Sequence, residues 1–192
     1  MDPVTLQGLR LILRPWKAGD KDPLYVVNGD AEAMRHFAIL LTRAQSDAWA
    51  ARMQAHIDAH GWGFWVAEHR ETGTFLGVVG LMTIPWQARF TPAVEIGWRI
   101  TPAQQRHGYA EEAARLALRF AFDTLGLPEI VAFTAPGNEP SWRLMEKLGM
   151  RADGRFEHPR LPEDSPLREQ LLYRVKAEQL TPARPPDPSG AA

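Results

Sequence analysis

The chain has 192 residues, 45% of them hydrophobic and 23% charged, which is ordinary globular usage and excludes a disordered, collagenous or polar-repeat protein. Its 22 basic and 23 acidic residues nearly cancel, so it lacks the global positive field with which a non-specific nucleic-acid binder collects phosphates. With no cysteine, a disulfide framework, a thiolate nucleophile, an iron–sulfur cluster and a Cys-based zinc site are excluded. The length favours one domain, assigned to 1–180, followed by a Pro-rich segment, TPARPPDPSGAA at 181–192, expected to be disordered. No basic head with an apolar run and a small-residue cleavage site opens the chain, and no apolar stretch reaches the roughly 18 residues of a bilayer span. A cytoplasmic protein without membrane or nucleic-acid partners is the expectation.

In chain order, Leu9, Leu11 and Leu13 alternate with Arg10, Ile12 and Arg14 up to Pro15, which predicts a first strand. Two short helical pieces are expected between Asp20 and Phe37. A capping box, Thr42 with Gln45, opens a helix whose Trp49, Met53 and Ile57 share a face and which Gly61 ends. Gly63–His69 and Phe75–Ile84 read as an antiparallel hairpin, and Ala93–Ile100 as a third strand. In that strand Val94, Ile96, Trp98 and Ile100 point one way, and Glu95, Gly97 and Arg99 the other. A helix is expected over Ala110–Thr124, a strand over Glu129–Phe133, a helix over Ser141–Leu148, and final strands near Arg151–Phe156 and Gln170–Val175. The prolines of 157–167 mark a loop. The central strand–helix–strand implies a right-handed parallel crossover inside a mostly antiparallel sheet.

The strongest chemical signal is the strand EIGWRI, then TPA, then Gln105-Arg106-His107-Gly108-Tyr109-Ala110 running straight into a helix. A glycine ahead of a helix start lets several backbone N–H groups and the positive end of the dipole converge on one point, which suits a phosphate. Arg106, His107 and Arg115 are candidates to add positive charge there. The alternative is an ordinary strand-to-helix turn. Neither a Walker loop nor a dinucleotide fingerprint fits, because the lysine of the first and two glycines of the second are missing.

This hexapeptide resembles the Gln/Arg-x-x-Gly-x-Gly/Ala signature of the GNAT superfamily of acetyltransferases. NEPSWRLMEKLGM, Asn138–Met150, is similar to a second coenzyme A-contacting stretch in the branch that acetylates protein N-termini, including those of ribosomal proteins. The resemblance spans roughly Leu6 to Val175. It implies an α/β (α+β) GNAT fold: a mixed, mostly antiparallel sheet of six to seven strands, flanked by helices and splayed at its central parallel pair. It implies acetyl-CoA as acetyl donor, no metal, and direct transfer to a primary amine in a ternary complex. It further implies that the backbone of Trp98, Arg99 and Ile100 pairs with the pantetheine arm as an added strand does. Arg106 and the amides of His107, Gly108, Tyr109, Ala110 and Glu111 would hold the pyrophosphate. Asn138 and Ser141 would reach the pantetheine or thioester, with a turn or N-cap role as the alternative for Asn138.

Acyl transfer to an amine needs the amine neutral, a donor for the oxygen that gains charge, and a proton for the departing thiolate. By the resemblance Glu95 is the base; the alternative is a solvated or ion-paired strand carboxylate. A backbone N–H near Trp98 would serve the oxygen. The superfamily's usual acid is a tyrosine, and its position here falls on Met145, which has no proton to give; Ser141 takes its place as candidate acid. Deprotonating an α-amine at neutral pH is easy, whereas a lysine near pKa 10.4 costs roughly 4 kcal/mol at pH 7.5. That favours an α-amine, such as a protein N-terminus. A small-molecule amine (polyamine, antibiotic or metabolite) and a non-catalytic CoA- or partner-binding module are the alternatives.

Other features have weaker claims. His56 and His60 have metal-ligand spacing but no third ligand. Trp62, Trp65 and Trp86 are candidates to line an acceptor pocket or simply core. His158, Pro159, Arg160 and Arg168 are candidates for contact with the acceptor or with a second copy in a homodimer.

Overall fold

A computed structural model describes residues 2–179; the Pro-rich segment 181–192 lies outside them. The strands are β1 (Leu6–Gln7), β2 (Leu11–Arg14), β3 (Phe64–His69), β4 (Phe75–Thr83), β5 (Val94–Ile100), β6 (Glu129–Thr134), β7 (Arg151–Glu157) and β8 (Glu169–Lys176). They form one sheet in the order β1-β2-β3-β4-β5-β6-β8-β7. Eight strands replace the six to seven expected, because the two-residue β1 is too short to show a period and the expected first strand breaks at Gly8–Arg10.

The helices are α1 (Lys21–Asn28), α2 (Arg43–His60), α3 (Tyr109–Arg119) and α4 (Glu139–Lys147). Thr42 and Gln45 close the capping box at the start of α2, and Gly61 ends it with φ of 82°. Only one helix forms between Asp20 and Phe37. After it Asp30 Oδ1 accepts from the Ala33 amide at 2.7 Å, a local bond that favours turns over helix, and the segment runs on in turns to Phe37. Beyond Arg119, α3 relaxes into a π-turn, with the Leu125 amide donating to Phe120 at 3.1 Å.

Successive β4 residues separate the two faces of the sheet. Val79 joins the main core with Ala113, Ala114, Ala117 and Leu118 of α3, and Val78 packs with Leu24 of α1 and Ala50 of α2 on the other side. The three buried alanines let α3 lie close over β2, β4 and β5. On β5, Ile96 and Ile100 enter the main core, as the alternation predicts, so Glu95, Gly97 and Arg99 face the α1–α2 side.

The feature that matters for function is at β5. It pairs antiparallel with β4 along its whole length, Val94↔Thr83 to Ile100↔Gly77, but parallel with β6 only at Glu95↔Val131. The two strands then diverge, and the β6-facing edge of β5 from Gly97 onward borders an open cleft. No helix among the described residues is long and apolar enough to cross a membrane.

Candidate active site

A groove of about 510 Å³ starts at the β5 edge and ends at the first turn of α3. Its floor at the helix end is built from backbone. Arg106 has φ of 64° and Gly108 φ of 80°, so the chain turns twice through the left-handed region before α3 begins. Such a sequence of conformations turns consecutive N–H groups to one side. Among the described residues the amides of 106–111 donate to no backbone acceptor, and no side chain caps α3. Unsatisfied donors, a helix dipole and Arg106 in the lining make a cradle suited to an anion; Arg143 and Lys147 also line it, each paired with a carboxylate, Glu139 and Glu111.

This turn is braced from outside by a residue without a sequence signature. Arg10, between β1 and β2, donates from Nη1 to the His107 carbonyl at 2.9 Å and from Nε to Glu112 Oε2 at 2.8 Å. Its amide also binds Glu112 Oε1 at 2.7 Å, and its guanidinium lies 4.8 Å from the Tyr109 ring. We expect Arg10→Ala to weaken acetyl-CoA binding about three- to tenfold by calorimetry, the yield of one net hydrogen bond that keeps the turn in place. Arg115 does not join the cradle as expected. It is held by Glu111 Oε1 at 3.0 Å and by the Lys147 carbonyl at 2.8 Å, which ties α3 to the end of α4. His107 is absent from the groove lining, and its ring packs 6.0 Å from that of Tyr109.

A second cavity of about 390 Å³ lies on the α1–α2 side of β5. It meets the groove at Trp98, Arg99, Asn138 and Ser141, which line both. Glu95 lines the cavity, flanked by Met82, Trp86, Phe133 and His158. Among the described residues no ion pair and no side-chain hydrogen bond falls on its carboxylate. Burial among apolar and aromatic groups pushes its pKa up from 4.5 to about 7. The carboxylate is thus half-buried and without an ion-pair partner among the described residues.

Ser141 accepts from Trp98 Nε1 at 3.3 Å. The indole occupies a lone pair of Oγ and leaves the hydroxyl proton free for a different acceptor. Asn138 holds the N-cap position of α4 without capping it. Its Nδ2 donates to Thr134 Oγ1 at 2.9 Å, which leaves Oδ1 at the junction of groove and cavity. Met145 is 2% exposed and lines the cavity, so no phenol stands there.

Of the tryptophans singled out, only Trp86 reaches the cavity. Trp65 is fully buried and donates to the Val4 carbonyl, and Trp62 packs on His56. His56 Nδ1 meets the Trp62 carbonyl at 2.8 Å, and among the described residues no group of three metal-ligating side chains forms. From the 157–168 loop His158 enters the cavity, its ring 4.9 Å from Trp86, while Arg168 is bound to Glu157. Trp49, His36 and Phe37 line the cavity without having been singled out. A larger hollow of about 720 Å³ lies at the opposite end of β5 and β6, remote from the glycine turn.

A family model described as an acetyltransferase (GNAT) domain matches residues 10–151, and the chain belongs to that family. It is similar to the uncharacterized protein YkkB of Bacillus subtilis, 32% identical over 142 residues that cover 73% of this chain and 81% of that protein. It is also similar to the uncharacterized N-acetyltransferase YnaD of the same organism, 38% identical over 85 residues, 44% of this chain and 49% of that protein. Among solved structures, Mycobacterium smegmatis RimJ in complex with CoA-disulfide matches with a TM-score of 0.76 at 22% identity, covering 94% of this chain and 92% of that one; this likeness shows the fold. The protein is an acetyl-CoA-dependent N-acetyltransferase.

Proposed function

We propose that this enzyme acetylates an α-amine by direct transfer in a ternary complex, with Glu95 as base and Ser141 as acid. The observation that carries the reading is the meeting of the two hollows. A groove that ends in free amides opens, at Trp98, Asn138 and Ser141, into a cavity that holds an unpaired carboxylate. The pyrophosphate is held by the amides of 107–111 with Arg106, and the pantetheine arm by the free edge of β5 at Trp98, Arg99 and Ile100 together with Asn138. Bound acetyl-CoA supplies the thioester carbonyl and a thiolate leaving group.

Glu95 takes the proton from the incoming ammonium, directly or through one water. A carboxylate with pKa near 7 is a fair match for an α-amine near 8 and a poor one for a lysine. A backbone N–H on the splayed edge near Trp98 stabilises the oxygen that gains charge. Ser141, fixed by the Trp98 indole, gives its proton to the leaving sulfur and recovers one, directly or through water, from the acylated nitrogen, which sheds its second proton as the amide forms.

For the acceptor, the resemblance of Asn138–Met150 supports a protein N-terminus. The second reading is a small-molecule amine, favoured by the compact cavity, over which Phe37 and His158 reach from two different loops. Acetyl-CoA turnover against a panel of free amines, peptides and protein N-termini, with the acetylated product weighed by mass spectrometry, tests both. Acetylation of no α-amine would overturn the proposal. Ser141→Ala is expected to lower kcat about 10- to 100-fold with little change in KM for acetyl-CoA; an unchanged kcat would remove Ser141 from the mechanism.

A further inference from the structure

The acceptor cavity contains a cation for which acetyl transfer has no use. Arg99 stands four residues after Glu95 on the same face of β5, roughly 13 Å along the strand. Its guanidinium is stacked by Phe37 and Trp49, 4.1 and 5.3 Å from their ring centroids. Its sole hydrogen-bond partner among the described residues is neutral: the amide oxygen of Asn28, a buried side chain that itself donates to Ser46 Oγ at 2.9 Å. Nε is buried without any partner.

Arg14 shows how the same fold treats an arginine buried for structure. It is paired with Asp20 at 2.8 Å and Glu68 at 2.6 Å. Arg99 has no such counter-charge among the described residues, and burial lowers its pKa to about 10, which still leaves it charged at neutral pH. A desolvated, unpaired charge works against folding. A planar guanidinium held against two rings is, however, preorganised to donate its remaining N–H groups to a carboxylate. The coenzyme's pyrophosphate has its own donors in the free amides at the start of α3, whereas Arg99 stands where the groove opens into the acceptor cavity and lines both.

We infer that Arg99 anchors a carboxylate of the acceptor, so that the substrate is a primary amine that also carries a carboxylate. The inference rests on the acetyl-transfer reading above. Two sources supply this chemistry: the terminal carboxylate of an amino acid or short peptide, and an acidic side chain beside a protein N-terminus.

The test compares amino acids and dipeptides with their carboxamides, and acidic with amidated peptide N-termini, as acceptors for the wild-type enzyme, Arg99→Met and Arg99→Lys. The wild type should prefer the carboxylate partner ten- to hundredfold in kcat/KM, with the difference in KM. Arg99→Met should abolish the preference and Arg99→Lys reduce it. The pair of acceptors that shows the preference identifies the source. Equal rates on carboxylates and carboxamides in the wild type, which needs no variant, overturn the anchor and leave acetyl transfer standing. A preference that survives in Arg99→Met overturns it as well. If no amine is acetylated, the earlier reading fails. The anchor is then decided by thermal unfolding with the same amino carboxylates: it requires a midpoint rise in the wild type that carboxamides do not give and Arg99→Met lacks.

Discussion

Glu95→Gln is expected to lower kcat/KM about 10²- to 10⁴-fold at pH 8 while making the folded protein more stable, a combination that an ordinary strand carboxylate would not give. Gln keeps the shape of the side chain and removes the base. The stability gain follows from the raised pKa. Between about 4.5 and 7 the unfolded chain loses the Glu95 proton and the folded chain keeps it, so folding binds protons and stability falls as pH rises through that window. The loss is complete above about 7 and amounts to roughly 3–4 kcal/mol, since one pKa unit is worth about 1.4 kcal/mol. Gln titrates nowhere. The variant should therefore melt several degrees above the wild type at pH 8 and gain nothing near pH 4.5, by calorimetry or circular dichroism. Equal melting at both pH values would show that Glu95 is ionised without penalty.

The same group shapes the rate profile. In the wild type kcat/KM should rise with pH through about 7 as Glu95 ionises and fall above about 8, where the free α-amine has already lost the proton that Glu95 takes. The other titratable groups facing the cavity do not imitate the first step. His158 and His36 are held below their ordinary range, His158 by burial and Arg160 and His36 by burial and Arg35, and Arg99 stays charged throughout. Glu95→Gln should lose the lower step and instead rise near 8, where the α-amine arrives already neutral. A lower step that survives the substitution would assign it to a different residue.

What could be read from the sequence is what depends on short periods and local caps. The Thr42–Gln45 box, the Gly61 stop, the alternation along Val94–Ile100 and the glycine before α3 act within one turn or one strand, and the structure has all of them. The alternation even places Glu95 and Arg99 on one face. It does not show that Arg99 lacks a counter-ion, because that is set by α1, by Trp49 of α2 and by the turns around Phe37. Arg10 was hidden for the same reason: its partner carbonyl lies 97 residues away. A count of tryptophans is equally blind to place, for Trp65 is buried within β3 whereas Trp86, in the loop after β4, reaches the cavity. Arg115 was misjudged because a basic side chain one turn into a helix suggests an anion, whereas Glu111 and the end of α4 claim it first.

Gly108→Glu is expected to weaken acetyl-CoA binding at least about 100-fold, some 2.7 kcal/mol, with little loss of fold. Three effects add. The left-handed φ of 80° costs a residue with a Cβ about 1–2 kcal/mol. The new Cβ would stand 3.3 Å from Arg10 Nη2, so the brace on the His107 carbonyl must give way slightly. The carboxylate then sits at the positive end of α3, where the dipole and free amides welcome it and it competes with the pyrophosphate for the same donors. That last effect separates binding from folding, since a negative charge at a helix N-terminus is mildly stabilising in the absence of ligand. Gly108→Ala isolates the first two effects and should cost about tenfold in affinity, and the excess loss in Gly108→Glu should shrink as salt is raised, because it is electrostatic. Calorimetric titration of both variants with acetyl-CoA at low and high salt measures each part. An affinity for Gly108→Glu equal to that of the wild type would mean that the coenzyme's phosphates are held elsewhere.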